Sequence, residues 1–168
     1  EFAAQITRLL QAGVVLDHID GNNHIHVFPG IAKVVAQLAN KFGITKIRVP
    51  CERFGQWGDL CRAGGLKKLF LLFLAQRSAR VFTHYGLLFP QRFAGIQFPR
   101  VDDPRSLEHF LRNLPPGTTE LMCHPGYRNH NSPFSSIARE RELGALTHPE
   151  VIKTTRDSGV QLIRFRDL

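Results

Sequence analysis

Residues 17–26 read Asp-His-Ile-Asp-Gly-Asn-Asn-His-Ile-His, placing three histidines, two aspartates and two asparagines directly behind the apolar run Val14-Val15-Leu16. Imidazole, carboxylate and amide groups at this density can bind a cation, orient a substrate or move a proton. His24 and His26 are two residues apart, so in extended chain both face one side and could share an ion or a substrate. Asp20 keeps the same parity, and could ligate directly or hold an imidazole from behind. The same residues also suit a turn in which Asp and Asn cap the backbone and the histidines are half buried. Taken alone, the two readings are about equal.

A second cluster tips the balance. His124 follows Leu121-Met122-Cys123 and precedes Pro125-Gly126-Tyr127, which puts an imidazole at the mouth of a strand, where it could donate a proton. Between the two clusters lies Arg48, able to clamp a substrate carboxylate or to pair with Glu52, with the ion pair the stronger expectation. Trp57 and Tyr127 offer aromatic faces for sugar rings, although core packing accounts equally well for Trp57. His18 falls inside the strand that precedes the cluster and reads as a satisfied core histidine. His84, His109, His130 and His148 have no polar constellation and read as surface residues.

The elements that must position these groups follow from periodicity. Phe2, Ile6, Leu9 and Leu10 have helical spacing and Gly13 supplies the stop. Val14 to Ile19 is a β-branched run, expected as a buried strand. Pro29 suits the first turn of a helix in which Ile31, Val34, Val35, Leu38, Ala39 and Phe42 line one face, closed by Gly43. Lys46 to Pro50 is the next strand, giving a βαβ unit with parallel strands. Cys51 to Gly65 is a glycine-rich loop. Leu66 to Arg80 is a helix with Leu66, Leu69, Phe70, Phe73 and Leu74 on one side, widened by Leu71 and Leu72. Residues 82–104 are irregular, broken by Phe89-Pro90, Gly95 and Phe98-Pro99, with room for one or two short strands. A helix from Arg105 to Leu114, a strand from Thr118 to Cys123, helices over 135–146 and 148–158, and a last strand from Val160 to Ile163 complete the chain. This alternation predicts an α/β fold with parallel strands and crossover helices, its polar strand ends gathered on one face.

At 168 residues and 43% hydrophobic composition the chain suits one domain with a real core. Its apolar segment Leu69 to Ala75 is far short of the roughly 20 residues that cross a bilayer. The net charge of +8 is spread over Arg8, Lys33, Lys46, Arg62, Arg77, Arg100, Arg139 and Arg156, so a solvated surface is expected and no nucleic-acid partner. Cys51, Cys61 and Cys123 are odd in number and lack CxxC spacing, and the residues given, which start at Glu1 and not at a methionine, contain no charged-then-apolar leader; a cytoplasmic protein without disulfides or thiolate metal sites is expected.

Residues 17–26, followed by Phe28-Pro29, resemble the Thr-His-x-Asp-Ser-His-x-His-x-His motif of the YdjC-like carbohydrate deacetylases, which include chitooligosaccharide and hopanoid-associated members. Glu120 to Tyr127 is similar to the family's second motif, and Val160 to Leu168 to its usual ending. The resemblance covers essentially the whole chain. It implies a partial irregular (β/α) barrel of the polysaccharide-deacetylase type, a divalent ion that activates water, a carboxylate base, and an acid that protonates the departing amine. His124 would be that acid, with Asp20, Asn22, His24 and His26 the candidates to hold the metal and Arg48 and Tyr127 to bind an N-acetylated sugar or oligosaccharide.

Three departures bear on that implication. Asn22 stands where the family has a metal-binding histidine, and an amide oxygen suits Mg²⁺ better than Zn²⁺. Gln91-Arg92-Phe93-Ala94-Gly95 resembles a family loop but has Arg92 where histidine is common. The family's opening Asp-Asp-Phe-Gly strand and its Gly-x-His segment do not occur here, so residues 1–168 are expected to be the C-terminal part of a deacetylase barrel. A non-catalytic sugar-binding or interaction module on the same fold is the alternative. An exposed barrel edge would favour a homo-oligomer.

Overall fold

The computed structural model describes residues 1–52, 65–96, 100–129, 131–132 and 135–168. Two compact units are distinguished, one formed by Glu1–Gln91 with Ile163–Leu168 and the other by Arg92–Leu162. Trp57, Cys61, His130, Phe98-Pro99 and most of the glycine-rich loop lie outside the described residues.

In the first unit, α1 (Phe2–Gln11) ends at Gly13, whose φ of +77° a side chain would resist. The chain then runs to Ile19, which pairs in parallel with Ile47, while Lys46 pairs in parallel with Leu88. Four backbone bonds carry this pairing: Ile19 N–H to Lys46 O at 3.0 Å, Arg48 N–H to Ile19 O at 3.0 Å, Ile47 N–H to Leu88 O at 2.9 Å and Leu88 N–H to Thr45 O at 2.9 Å. Helix α2 (Ile31–Lys41) connects the first two segments in the order expected of a βαβ unit, but the expected strand Lys46 to Pro50 is reduced to isolated bridges at Lys46 and Ile47. Its buried face is Ala32, Val35, Ala36 and Ala39, a stripe at i, i+3, i+4 and i+7 whose small side chains let α3 (Gly65–His84) approach closely. The core they share contains Ile44, Ile47, Val49, Ala75, Phe82 and Leu87. Ile47 and Phe82 are fully buried, each contributing about 2 kcal/mol by removal from water. Ser78, also buried, satisfies its hydroxyl on the Ala75 carbonyl at 2.9 Å.

In the second unit, β1 (Arg92–Ala94) and β2 (Thr119–Leu121) form a two-stranded parallel sheet with Phe93 opposite Glu120. Gly95 follows β1 at φ +108°, where a Cβ would lie 2.2 Å from the Met122 carbonyl oxygen, so only glycine permits this approach. Helix α4 (Pro104–Arg112) is capped by Asp103, which accepts the Arg105 N–H at 3.1 Å, with Pro104 in the first turn. Helices α5 (Ile137–Leu146) and α6 (Pro149–Asp157) complete a small core of Leu107, Ala145 and Val151. Arg112 reaches the buried Thr154 hydroxyl at 3.2 Å.

The fold is α/β and mostly helical, with parallel pairing in each unit; among the described residues the strands close no barrel. Further sequence expectations are corrected. Val14 to Leu16 is not a buried strand: only Ile19 pairs, and Val15 is 81% exposed, because the segment lies at the margin of the 19, 47, 88 order. Helix α3 buries its C-terminal half through Leu74, Ala75, Ser78 and Phe82, while Leu66, Leu69, Phe70 and Phe73 are exposed. It also continues to His84, so Phe82 belongs to a helix. Val160 to Ile163 forms no strand, and Leu162 is 83% exposed.

Candidate functional site

The histidine-rich segment leaves Ile19 and folds into two tight turns over Asn22–Val27. They meet at Asn23 and His24, both left-handed with φ of +51° and +58°. Asn and His tolerate this region better than most residues, but two in succession carry backbone strain, and such strain gathers where side chains must be aimed. His26 is the pivot. It is 1% exposed, its Nδ1 accepts the Gly21 N–H at 3.0 Å, and Nε2 donates to the Arg48 carbonyl at 2.9 Å. This fixes the neutral Nε2–H tautomer. Burial pushes the ring below its ordinary 6.5, opposed by its bond to the Arg48 carbonyl. A Cβ on Gly21 would stand 2.6 Å from Nδ1, so glycine is what admits the ring.

Arg48 serves the same turn twice. Its carbonyl holds His26, and its guanidinium pairs with Asp20 at 2.5 Å. One carboxylate paired with Arg48 is thus Asp20, from the polar segment itself. His24 is half-buried and meets His26 edge-on at 6.3 Å between ring centres. Asn22 is exposed. His26 also stacks on Phe82, and Phe28 meets Phe70 edge-on, which seats the turns on α3.

His18 is not a core residue. Its Nδ1 donates to Asp17 at 2.6 Å, its ring lies flat on Phe165 with centres 4.0 Å apart, and its side chain is 33% exposed. Arg166 approaches the second Asp17 oxygen at 3.6 Å, and Lys46 Nζ donates to the Arg166 carbonyl at 3.1 Å. The hydrogen bond from His18, with the charges of His18 and Arg166 adding, holds the Asp17 carboxyl below the usual range against a smaller effect of burial. The chain's last residues thereby clasp the start of the polar segment. The adjacent Asp17-His18 pair was the one sequence signal for this dyad; its clasp by Phe165 and Arg166 had none.

In the second unit His124 and Tyr127 are both exposed, Tyr127 to 82%. The His124 N–H donates to Glu142 at 2.5 Å, and the Gly126 N–H donates to the Arg139 carbonyl at 3.2 Å. His84, His109 and His148 are exposed, as expected, and the His148 Nδ1 caps α6 by accepting the Glu150 N–H.

The expected metal site is tested by these contacts. With both ring nitrogens engaged, His26 has no lone pair left for an ion in this arrangement, and Asp20 is held by Arg48. Among the described residues no group of three or more His, Cys, Asp or Glu could hold a metal ion. Among the described residues the donors, as they are bonded here, form no ready site for a divalent ion.

The family profile described as YdjC-like protein matches residues 1–157. The chain belongs to the YdjC-like family. A protein of Mus musculus named carbohydrate deacetylase is 31% identical over 191 residues, covering 100% of this chain and 61% of the relative. One of Clostridium beijerinckii with the same name is 28% identical over 171 residues, covering 100% of the chain and 60% of the relative. The human protein of that name is 31% identical over 179 residues, covering 90% of the chain and 53% of the relative. The chain thus spans about three fifths of the length of the curated relatives it matches. No solved structure matches it. Among the described residues no helix is long and apolar enough to cross a membrane.

Proposed function

We propose that this YdjC-like chain belongs to a hydrolase that removes N-acetyl groups from amino-sugar carbohydrates. The observation that supports this most is the alignment of the whole chain with relatives named carbohydrate deacetylase. In the reaction, water adds to the amide carbonyl and the tetrahedral adduct collapses once the departing nitrogen is protonated. His124 is the proton donor in this reading, and its exposed imidazole at the end of β2 suits the role. Tyr127 offers an open aromatic face to a sugar ring. Asp20 and Arg48 form a charged pair, and Arg48 is the residue we assign to substrate contact. We read the parallel pairing in each unit as part of a partial irregular (β/α) barrel of the deacetylase type. Mg²⁺ ahead of Zn²⁺ remains the ion to test, with Asp20, Asn22 and His24 as donors; His26 would first have to give up a hydrogen bond.

A non-catalytic sugar-binding module is the second reading, favoured by Asn22 in the family's histidine position and by the engaged nitrogens of His26. Acetate release from N-acetylated chito-oligosaccharides separates the two. The chain joined to the family's Asp-Asp-bearing opening segment is expected to release acetate and to lose that activity in His124→Ala. Sugar binding without acetate release selects the module.

A further inference from the structure

We propose that Glu142 of α5 is the positioning residue for His124, fixing its backbone so that the imidazole is presented in one orientation. The proposal rests on the reading of His124 as proton donor. The His124 N–H donates to the Glu142 carboxylate at 2.5 Å, and two residues on, the Gly126 N–H donates to the Arg139 carbonyl at 3.2 Å. Between them, Pro125 has no N–H and a fixed φ. Arg139 and Glu142 are three apart and share one face of α5. That face therefore grips the chain on both sides of the His124-Pro125 step. The grip is itself anchored, because Ser136 caps α5 by accepting the Arg139 N–H at 3.3 Å. Meanwhile the His124 side chain is left exposed.

A carboxylate is a stronger acceptor than water or an amide, and bonds to charged groups are roughly twice as strong as neutral ones. An exposed N–H leaving a strand has water available, so the choice of a carboxylate points to fixation of this backbone. A general acid must stay within hydrogen-bond reach of the departing atom, and misplacement by about 1 Å costs on the order of 100-fold in rate.

Glu142→Gln keeps an oxygen able to accept the same N–H, whereas Glu142→Ala keeps none. By NMR on the 168-residue chain, Glu142→Ala is expected to speed His124 amide exchange about tenfold or more, the scale of a lost charge-assisted bond, with Leu121 in β2 unchanged. The His124 Hα–Hβ couplings are expected to be those of one rotamer in the wild type and to average in Glu142→Ala. Glu142→Gln is expected to retain most of the protection and the single rotamer. In the active protein Glu142→Ala lowers kcat about tenfold to 100-fold with KM nearly constant, and Glu142→Gln restores it. Unchanged exchange and couplings in Glu142→Ala overturn the proposal, as does a Gln variant indistinguishable from Ala. A His124→Ala variant with full turnover removes the proton-donor role instead, and leaves the exchange result standing on its own.

Discussion

Replacing His26 tests whether the polar segment is held by an internal imidazole. His26→Leu fills a comparable volume but leaves the Gly21 N–H and the Arg48 carbonyl, bonded at 3.0 and 2.9 Å, without their partner. Each orphaned buried group costs about 1–3 kcal/mol, so the substitution is expected to destabilise by roughly 2–5 kcal/mol. In a chain of this size 1 kcal/mol shifts Tm by about 2–4 °C; a loss of about 4–20 °C follows. His26→Gln, with an amide donor and acceptor, is expected to lose about half as much. Proton linkage supplies the discriminating readout. The folded-state pKa of His26 lies below its ordinary 6.5, so the unfolded chain binds the proton more readily. Stability is then fully present above pH 6.5 and is lost as pH falls below that value toward the folded pKa. Urea unfolding from pH 5 to 8, followed by circular dichroism, should show the wild type losing stability below about pH 6.5 with a contribution of at most about 1.4 kcal/mol per pH unit. That contribution should vanish in His26→Gln. An identical pH slope in wild type and His26→Gln refutes the reasoning.

Gly21→Ala places a Cβ 2.6 Å from the His26 Nδ1; the buried ring has no room to move away, so a loss of about 1–3 kcal/mol is expected, and a melting curve unchanged from wild type contradicts it. Asp17 has its carboxyl pKa held below 3.8 chiefly by His18, so its contribution is present above pH 3.8 and lost as pH falls through the lower folded value. Wild type should therefore be more stable than Asp17→Asn near neutrality, with the gap closing in acid, and a pH-independent gap counts against the dyad. Leu66, Phe70 and Phe73 are exposed along α3, an apolar stripe that should drive self-association. Sedimentation is expected to show wild-type oligomers that Phe70→Glu shifts toward monomer; a monomeric wild type contradicts this.

Helices were legible where apolar periodicity and caps agree. Gly13 marks the end of α1, and on α2 the expected Val35 and Ala39 are buried while Val34 is exposed and Ala32 and Ala36 complete the buried face; the start of α4 at Pro104, capped by Asp103, went unread. The run Val14 to Leu16 looked like a buried strand because β-branched residues pack well on a sheet, yet composition does not reveal which segment lies at a sheet margin. The candidate site was legible as residue types at strand ends. Its wiring was not, because His26 is joined to Arg48, Asp17 to Arg166 and His124 to Glu142 across 22, 149 and 18 positions respectively. Tertiary contacts over such separations leave no local pattern. Gly21 carried a readable signal: a glycine amid polar residues marks a close approach, and His26 is what approaches.

The central claim is that His124 protonates the amine released when an N-acetyl group is cleaved from an amino sugar. It is tested most directly by acetate release from N-acetylated chito-oligosaccharide, measured for the chain joined to the Asp-Asp-bearing opening segment and for its His124→Ala variant. Turnover is expected to fall about 100-fold or more in the variant, the range contributed by a general acid. Equal rates for the two proteins would contradict it.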